Sequence, residues 1–173
     1  MTAPNKATNI HPVLAEMLDA DLSIGNTIQF KVISDSMKPL ILRGDYVIAQ
    51  KEKLSKIRRG DLVLIQRQSD FLTHRLILKS SHKWFTKGDN NLAPDSPSKS
   101  DVIIGRILMV RGDDQETDLS GRKWQIINPI IATLGFLEWK AFSIQRYFRL
   151  PFRLGIKFIQ KFFMPKRNIH VDS

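Results

Sequence analysis

Between residues 27 and 112 apolar and polar positions alternate in short runs, the period of strands and not of helices. In TIQFKVIS (27–34), Ile28, Phe30 and Val32 share one face and Gln29 and Lys31 the other. DYVIAQK (45–51) and DLVLIQRQ (61–68) predict further strands, entered through Gly44-Asp45 and Gly60-Asp61. Gly-Asp is a turn signal, because Gly tolerates a positive φ and Asp bonds nearby backbone N–H groups. FLTHRLILKS (71–80) and HKWFTKG (82–88) read as a hairpin through Ser80-Ser81, and DVIIGRILMVRG (101–112) as one more strand. DNNLAPDSPSKS (89–100) is loop by composition. This run of short strands predicts a mainly β domain, barrel-like or a sandwich, over residues 27–112.

The flanks follow other periods. Residues 12–22 predict a short helix, with Val13, Leu14, Met17, Leu18 and Leu22 on a usable face, so residues 1–26 form a helical lead-in. Residues 113–123 are polar and acidic and predict a linker. Residues 124–173 then form a basic, aromatic tail. Seven of the ten Phe fall between Phe136 and Phe163, and residues 140–167 hold eight Lys/Arg and no Asp/Glu. Leu154, Phe158, Ile159 and Phe162 sit at helical spacing, with Lys157 and Lys161 beside them. Pro129, Pro151 and Pro165 predict that the tail is broken into at least two pieces.

Composition narrows the chemistry. The 173 residues suffice for one domain and an appendage. A net charge of +10 points to an anionic partner. With no cysteine, disulfides, thiolate metal sites and cysteine catalysis are excluded. The first 25 residues lack the apolar region of a secretory signal or an anchor, and no stretch reaches the ~18 apolar residues of a membrane span.

Candidate chemistry sits in an ordered series of short motifs: SDSMKP (34–39), RGD (43–45), RRGDLVLI (58–65), LTHRLI (72–77), FTKGDNN (85–91) and IIGRI (103–107). In that order they resemble the type I signal peptidases and their relatives in the S24/S26 clan, over about residues 31–110. The nearest likeness is to the ER-type and archaeal-type members, which use Ser–His, because His74 stands before Arg75 where bacterial leader peptidases carry Lys. The resemblance implies a signal-peptidase/LexA-like β domain and a serine endopeptidase that cleaves signal or leader sequences through an acyl-enzyme. Ser36 would be the nucleophile. A serine hydroxyl is weak until a base takes its proton, and imidazole titrates in the range that suits the task. His74 would be that base. His11, His82 and His170 lie outside the matching motifs.

A carboxylate on the other ring nitrogen would fix the imidazole tautomer. Two lie in the loop, Asp95 and Asp89. The resemblance favours Asp95, six residues past the KGD aspartate, and leaves Asp89 as the second candidate or a supporting carboxylate. The Ser36 N–H and, by resemblance, the Ser34 hydroxyl would bind the oxyanion. Asp35, Met37 and Pro39 would shape the loop and line the substrate cleft. Asp35 departs from the family's Gly at that position and bears on the cleavage rule. No metal and no cofactor is expected.

Three readings compete for the tail: packing on the β domain, a nucleic-acid surface, or an interfacial helix on a membrane. Flanking cations, interleaved aromatics and absent acids favour the membrane surface, where each Lys or Arg adds ~1 kcal/mol. The expected partners are therefore a signal or leader polypeptide and a membrane surface, with no specific nucleic acid. The expected localisation is peripheral membrane association without an N-terminal anchor. Two other functions share the fold. One is a LexA-like self-cleaving regulator, which pairs a Lys base with a DNA-binding domain. The other is a non-catalytic membrane-associated binding module.

Overall fold

The structure, a computed structural model, describes residues 27–163 except 69, 81–82, 96–97, 99, 114 and 145–148. The expected N-terminal helix at residues 12–22, Pro165, and His11, His82 and His170 lie outside the described residues. Seven strands form one antiparallel sheet: β1 (Thr27–Lys31), β2 (Tyr46–Lys51), β3 (Leu62–Arg67), β4 (Asp70–Lys79), β5 (Trp84–Lys87), β6 (Val102–Arg111) and β7 (Glu116–Asp118). Two helices follow, α1 (Arg122–Ile144) and α2 (Arg149–Phe163). The order across the sheet is β1-β2-β6-β3-β4-β5, with β7 added to β6. The chain is mainly β, as its alternation predicts.

The Gly-Asp turns work as their chemistry requires. The Asp45 carboxylate accepts the Leu42 N–H at 2.8 Å, and the Asp61 carboxylate accepts the Arg58 N–H at 2.7 Å. Gly60 has φ 99°, and a Cβ there would lie 2.6 Å from the Asn128 carbonyl carbon, so only glycine lets α1 close onto this turn. Strand β3 is buried on both faces. Leu62 and Leu64 enter the main core, while Val63 and Ile65 enter a smaller cluster with Ile57 and Leu76. The sheet also curls. Phe30 of β1 meets Phe71 of β4 with ring centroids 4.7 Å apart, although three strands separate them in the sheet order.

One expectation is corrected. The stretch 113–123 is more than a linker. Its residues 116–118 are strand β7, in register with Met109 to Arg111 of β6, and Leu119 is buried in the core. The segment after it packs on the β domain, one of the three readings open for it. Trp124, Ile127, Ile131 and Ile156 join Met37, Leu64 and Val110 in the main core, so the helices complete the domain. Pro129 lies inside unbroken α1 at an exposed position, where water can take the bond that its missing N–H forgoes. Leu154, Phe158 and Phe162 share one side of α2, at the helical spacing read from the sequence, and that side is exposed. α2 docks through Ile156 and Gln160 and leaves those three outside.

Two buried ion pairs tie helix to sheet. Lys87 of β5 donates to Glu138 of α1 at 2.9 Å, both fully buried. Arg75 of β4 spans Asp89 through Nε at 2.8 Å and Nη2 at 2.7 Å, while its Nη1 donates to the Gly60 carbonyl and to Asn128 Oδ1 at 2.8 Å each. Removing one member of a buried pair strands a charge in low dielectric, which costs about 3–5 kcal/mol. Glu138→Ala is expected to lower urea-unfolding stability by that amount. Lys87→Met combined with Glu138→Leu is expected to recover most of it.

Candidate functional site

Ser36 sits in the loop after β1, and the reason it holds still is its neighbour. Met37 is buried in the main core and pins the loop to the sheet. From the other side, the loop after β5 grips the same backbone. Asn90 N–H donates to the Ser36 carbonyl at 2.8 Å, and Asn90 Nδ2 donates to the Asp35 carbonyl at 3.3 Å. The approach is close enough that a Cβ at Gly88 would lie 2.6 Å from the Ser36 carbonyl oxygen.

His74 and Arg75 are adjacent in β4, so their side chains leave opposite faces of the pleat. That geometry separates the two loop carboxylates. His74 Nε2 stands 3.0 Å from Ser36 Oγ, and His74 Nδ1 stands 2.6 Å from Asp95 Oδ2. Asp89 is instead taken by Arg75 and by Gln160 Nε2 at 2.8 Å, and makes no hydrogen bond to His74. Asp89 therefore lies outside the Ser36–His74–Asp95 chain.

Asp95 is held by its surroundings. Its N–H donates to the Thr86 carbonyl at 2.8 Å, and the Thr86 hydroxyl donates to Asp95 Oδ2 at 2.6 Å. Burial pushes the Asp95 carboxyl up. The hydrogen bond and charge of His74, the Thr86 hydroxyl and the Arg67 guanidinium outweigh it and hold the group below its ordinary value. An ionised Asp95 accepting from Nδ1–H leaves Nε2 with a lone pair aimed at Ser36, the tautomer that a general base needs. Ser34 Oγ lies 3.2 Å from Ser36 Oγ. Among the described residues no lysine hydrogen-bonds Ser36 Oγ, and no group of three His, Cys, Asp or Glu is placed to hold a metal ion.

A cleft of about 520 Å³ opens at Ser36, between residues 30–34 and 70–73. Its walls are apolar, with Phe30, Val32, Phe71 and Leu72 prominent, and Arg67 and Asp70 are also in the lining. Met37 lines it, whereas Asp35 and Pro39 do not. Asp35 turns to Lys38, with 3.2 Å between carboxylate and ammonium at half exposure.

The chain matches the Peptidase S24-like family model over residues 7–108, more than half its length. It belongs to the Peptidase S24-like family. No curated protein matches it. The S24-like match agrees with the clan its motifs resemble, and with the fold and peptidase type that the clan implies. Strand β7 and both helices lie beyond the matched span.

Four residues that brace this S24-like site were not anticipated. Thr86 lies within the FTKGDNN motif, where a hydroxyl facing the acidic loop was the available signal. Asn128, Gln160 and Arg153 come from the helices. Arg153 donates to Asn90 Oδ1 at 3.2 Å, so α2 bonds to both Asp89 and Asn90 of the loop that grips Ser36. Polar residues on an inward helical face are their only trace in the sequence, and that trace names no partner.

The lowered Asp95 carboxyl has a signed consequence. Its contribution to stability is fully present above the ordinary unfolded value of ~3.9 and disappears as pH falls through the lower folded value. The stability gap between wild type and Asp95→Asn is therefore expected to be largest near neutrality and to close as the medium is acidified below that ordinary value. Urea titrations at a series of pH values check this; a gap that widens in acid contradicts it.

Proposed function

We propose that this S24-like chain is a serine endopeptidase of signal-peptidase type, acting on signal or leader sequences through Ser36, His74 and Asp95. The observation that carries the reading is the unbroken hydrogen-bonded line from Ser36 Oγ to His74 to Asp95, at 3.0 and 2.6 Å. Both spacings suit proton transfer without rearrangement. As Ser36 Oγ attacks the scissile carbonyl, its proton passes to His74 Nε2. Asp95 stabilises the imidazolium without accepting the proton. The developing oxyanion is met by the Ser36 N–H and the Ser34 hydroxyl. His74 then protonates the leaving amine, an acyl-enzyme on Ser36 remains, and a water activated by the same imidazole hydrolyses it.

The cleft supports an extended peptide as substrate. Among the described residues β1 pairs only with β2, and residues 70–74 of β4 pair with β3 but not with β5, so each presents an open edge there. Both segments lie at the cleft. A strand entering there can add its backbone to these edges while alternate side chains fill the apolar walls, as β-augmentation requires. The histidine base favours this reading over a self-cleaving regulator, whose base is a lysine.

The test is cleavage of leader-type peptides by wild type and single variants. Ser36→Ala and His74→Ala are each expected to lose about a thousandfold or more in kcat/KM, and Ser34→Ala about a hundredfold, with the fold intact by circular dichroism. Full activity in His74→Ala sinks the Ser–His mechanism. Intact-mass analysis of the chain incubated alone separates cleavage of other polypeptides from self-cleavage, since only the latter shortens the protein itself.

A further inference from the structure

The inner faces of the helices are committed to the domain, through Trp124, Ile127, Ile131 and Ile156 in the core and Asn128 and Gln160 in the polar network. Their outer faces carry apolar side chains that are exposed among the described residues. On α1, Ile126, Ile130 and Leu137 recur at helical spacing and are exposed. On α2, Leu154, Phe158 and Phe162 stand at i, i+4 and i+8 with 57%, 69% and 72% of their surface exposed. Phe158 and Phe162 stack with centroids 6.1 Å apart, and Phe163 meets Phe162 edge-on at 5.2 Å. These rings form a preassembled ridge.

The charge around that ridge has one sign. Lys157 and Lys161 are exposed beside it on α2, and Lys123 and Lys140 are exposed on α1. From Arg122 to Phe163 the only acidic residue is Glu138, and it is buried against Lys87. The two helices pack on each other, and Lys123 Nζ donates to the Phe163 carbonyl and sits 5.4 Å above its ring.

We propose that the outer face of the α1–α2 hairpin docks on the headgroup region of an anionic bilayer, with the hairpin lying in the plane of the surface. The Phe and Leu side chains enter the acyl boundary, and the lysines meet lipid phosphates. Charge complementarity selects this occupant. A second copy of the same face would bring like charges together, and a nucleic acid could stack bases on the rings but would leave Ile126, Ile130, Leu137 and Leu154 in water. No helix among the described residues is long and apolar enough to cross a membrane, so the arrangement is one of lying on it. The proposal goes beyond the peptidase reading and does not rest on it, because none of the docking residues belongs to the Ser36 site.

The experiment is co-sedimentation of the full chain, carrying Ser36→Ala to remove any proteolysis, with vesicles. The vesicles are phosphatidylcholine alone or with about a third phosphatidylglycerol. Binding is expected on the anionic vesicles, falling as salt is raised. Phe158→Ser with Phe162→Ser, and separately Lys157→Glu with Lys161→Glu, are each expected to weaken it by about tenfold or more. All four positions are exposed, so circular dichroism and the thermal midpoint should match the parent. Absent binding, or binding that these variants leave unchanged, overturns the proposal. So does concentration-dependent self-association lost in the same variants, which assigns the face to a second copy. Tighter binding to an oligonucleotide than to anionic vesicles assigns it to nucleic acid and overturns the proposal as well.

Discussion

A guanidinium cannot shed its charge inside a protein, so a buried Arg75 must be surrounded by acceptors. The acceptors come from three separate parts of the chain: the Gly60 carbonyl at the entry to β3, the Asp89 carboxylate after β5, and Asn128 in α1. Asp89 in turn accepts from Gln160 in α2. One charged side chain thus draws a turn, a loop and two helices to the same point on β4. The residue before it is His74. The constraint that orders the scaffold acts one position from the imidazole, and the pleat keeps the two jobs on opposite faces.

The loop carboxylates show how far that separation reaches. Asp89 and Asp95 lie six residues apart in one polar loop and have the same chemistry. Asp89 meets a permanent cation and becomes structural. Asp95 meets an imidazole and a hydroxyl and bonds both. The Asn90 between them grips the Ser36 backbone. A single loop therefore holds the serine, bonds the histidine and neutralises the arginine.

The helices change what the word domain means for this chain. The residues matched by the family end within β6, yet the core does not. Trp124, Ile127 and Ile156 fill it from beyond that boundary, and Lys87 in β5 depends on Glu138 in α1. The hairpin is amphipathic in an unusual sense. Its inward face carries the polar residues that bond to the loop near Ser36, and its outward face carries much of its exposed aliphatic and aromatic surface. Gln160 and Asn128 are buried where Asp89 and Arg75 supply hydrogen-bond partners, while Phe158 and Phe162 are exposed among the described residues.

Period-two alternation, Gly-Asp turns and the ordered motifs were enough to read the strands, the fold class and the clan, because each is a local property of backbone and turn chemistry. The same motifs singled out Ser36 and His74. They favoured Asp95 over Asp89 by resemblance alone, because the physical reason for the choice is which face of β4 each loop segment reaches. They could not recognise Glu116 to Asp118 as a strand, since three polar edge residues take their structure from β6 and not from their own pattern. Nor could spacing tell which side of α2 faces inward. Leu154, Phe158 and Phe162 form an apolar stripe, but the side that faces inward carries Ile156, which enters the core, and Gln160, which bonds Asp89. Local periodicity records what a segment can do; partners distant in sequence determine which of those options the fold uses.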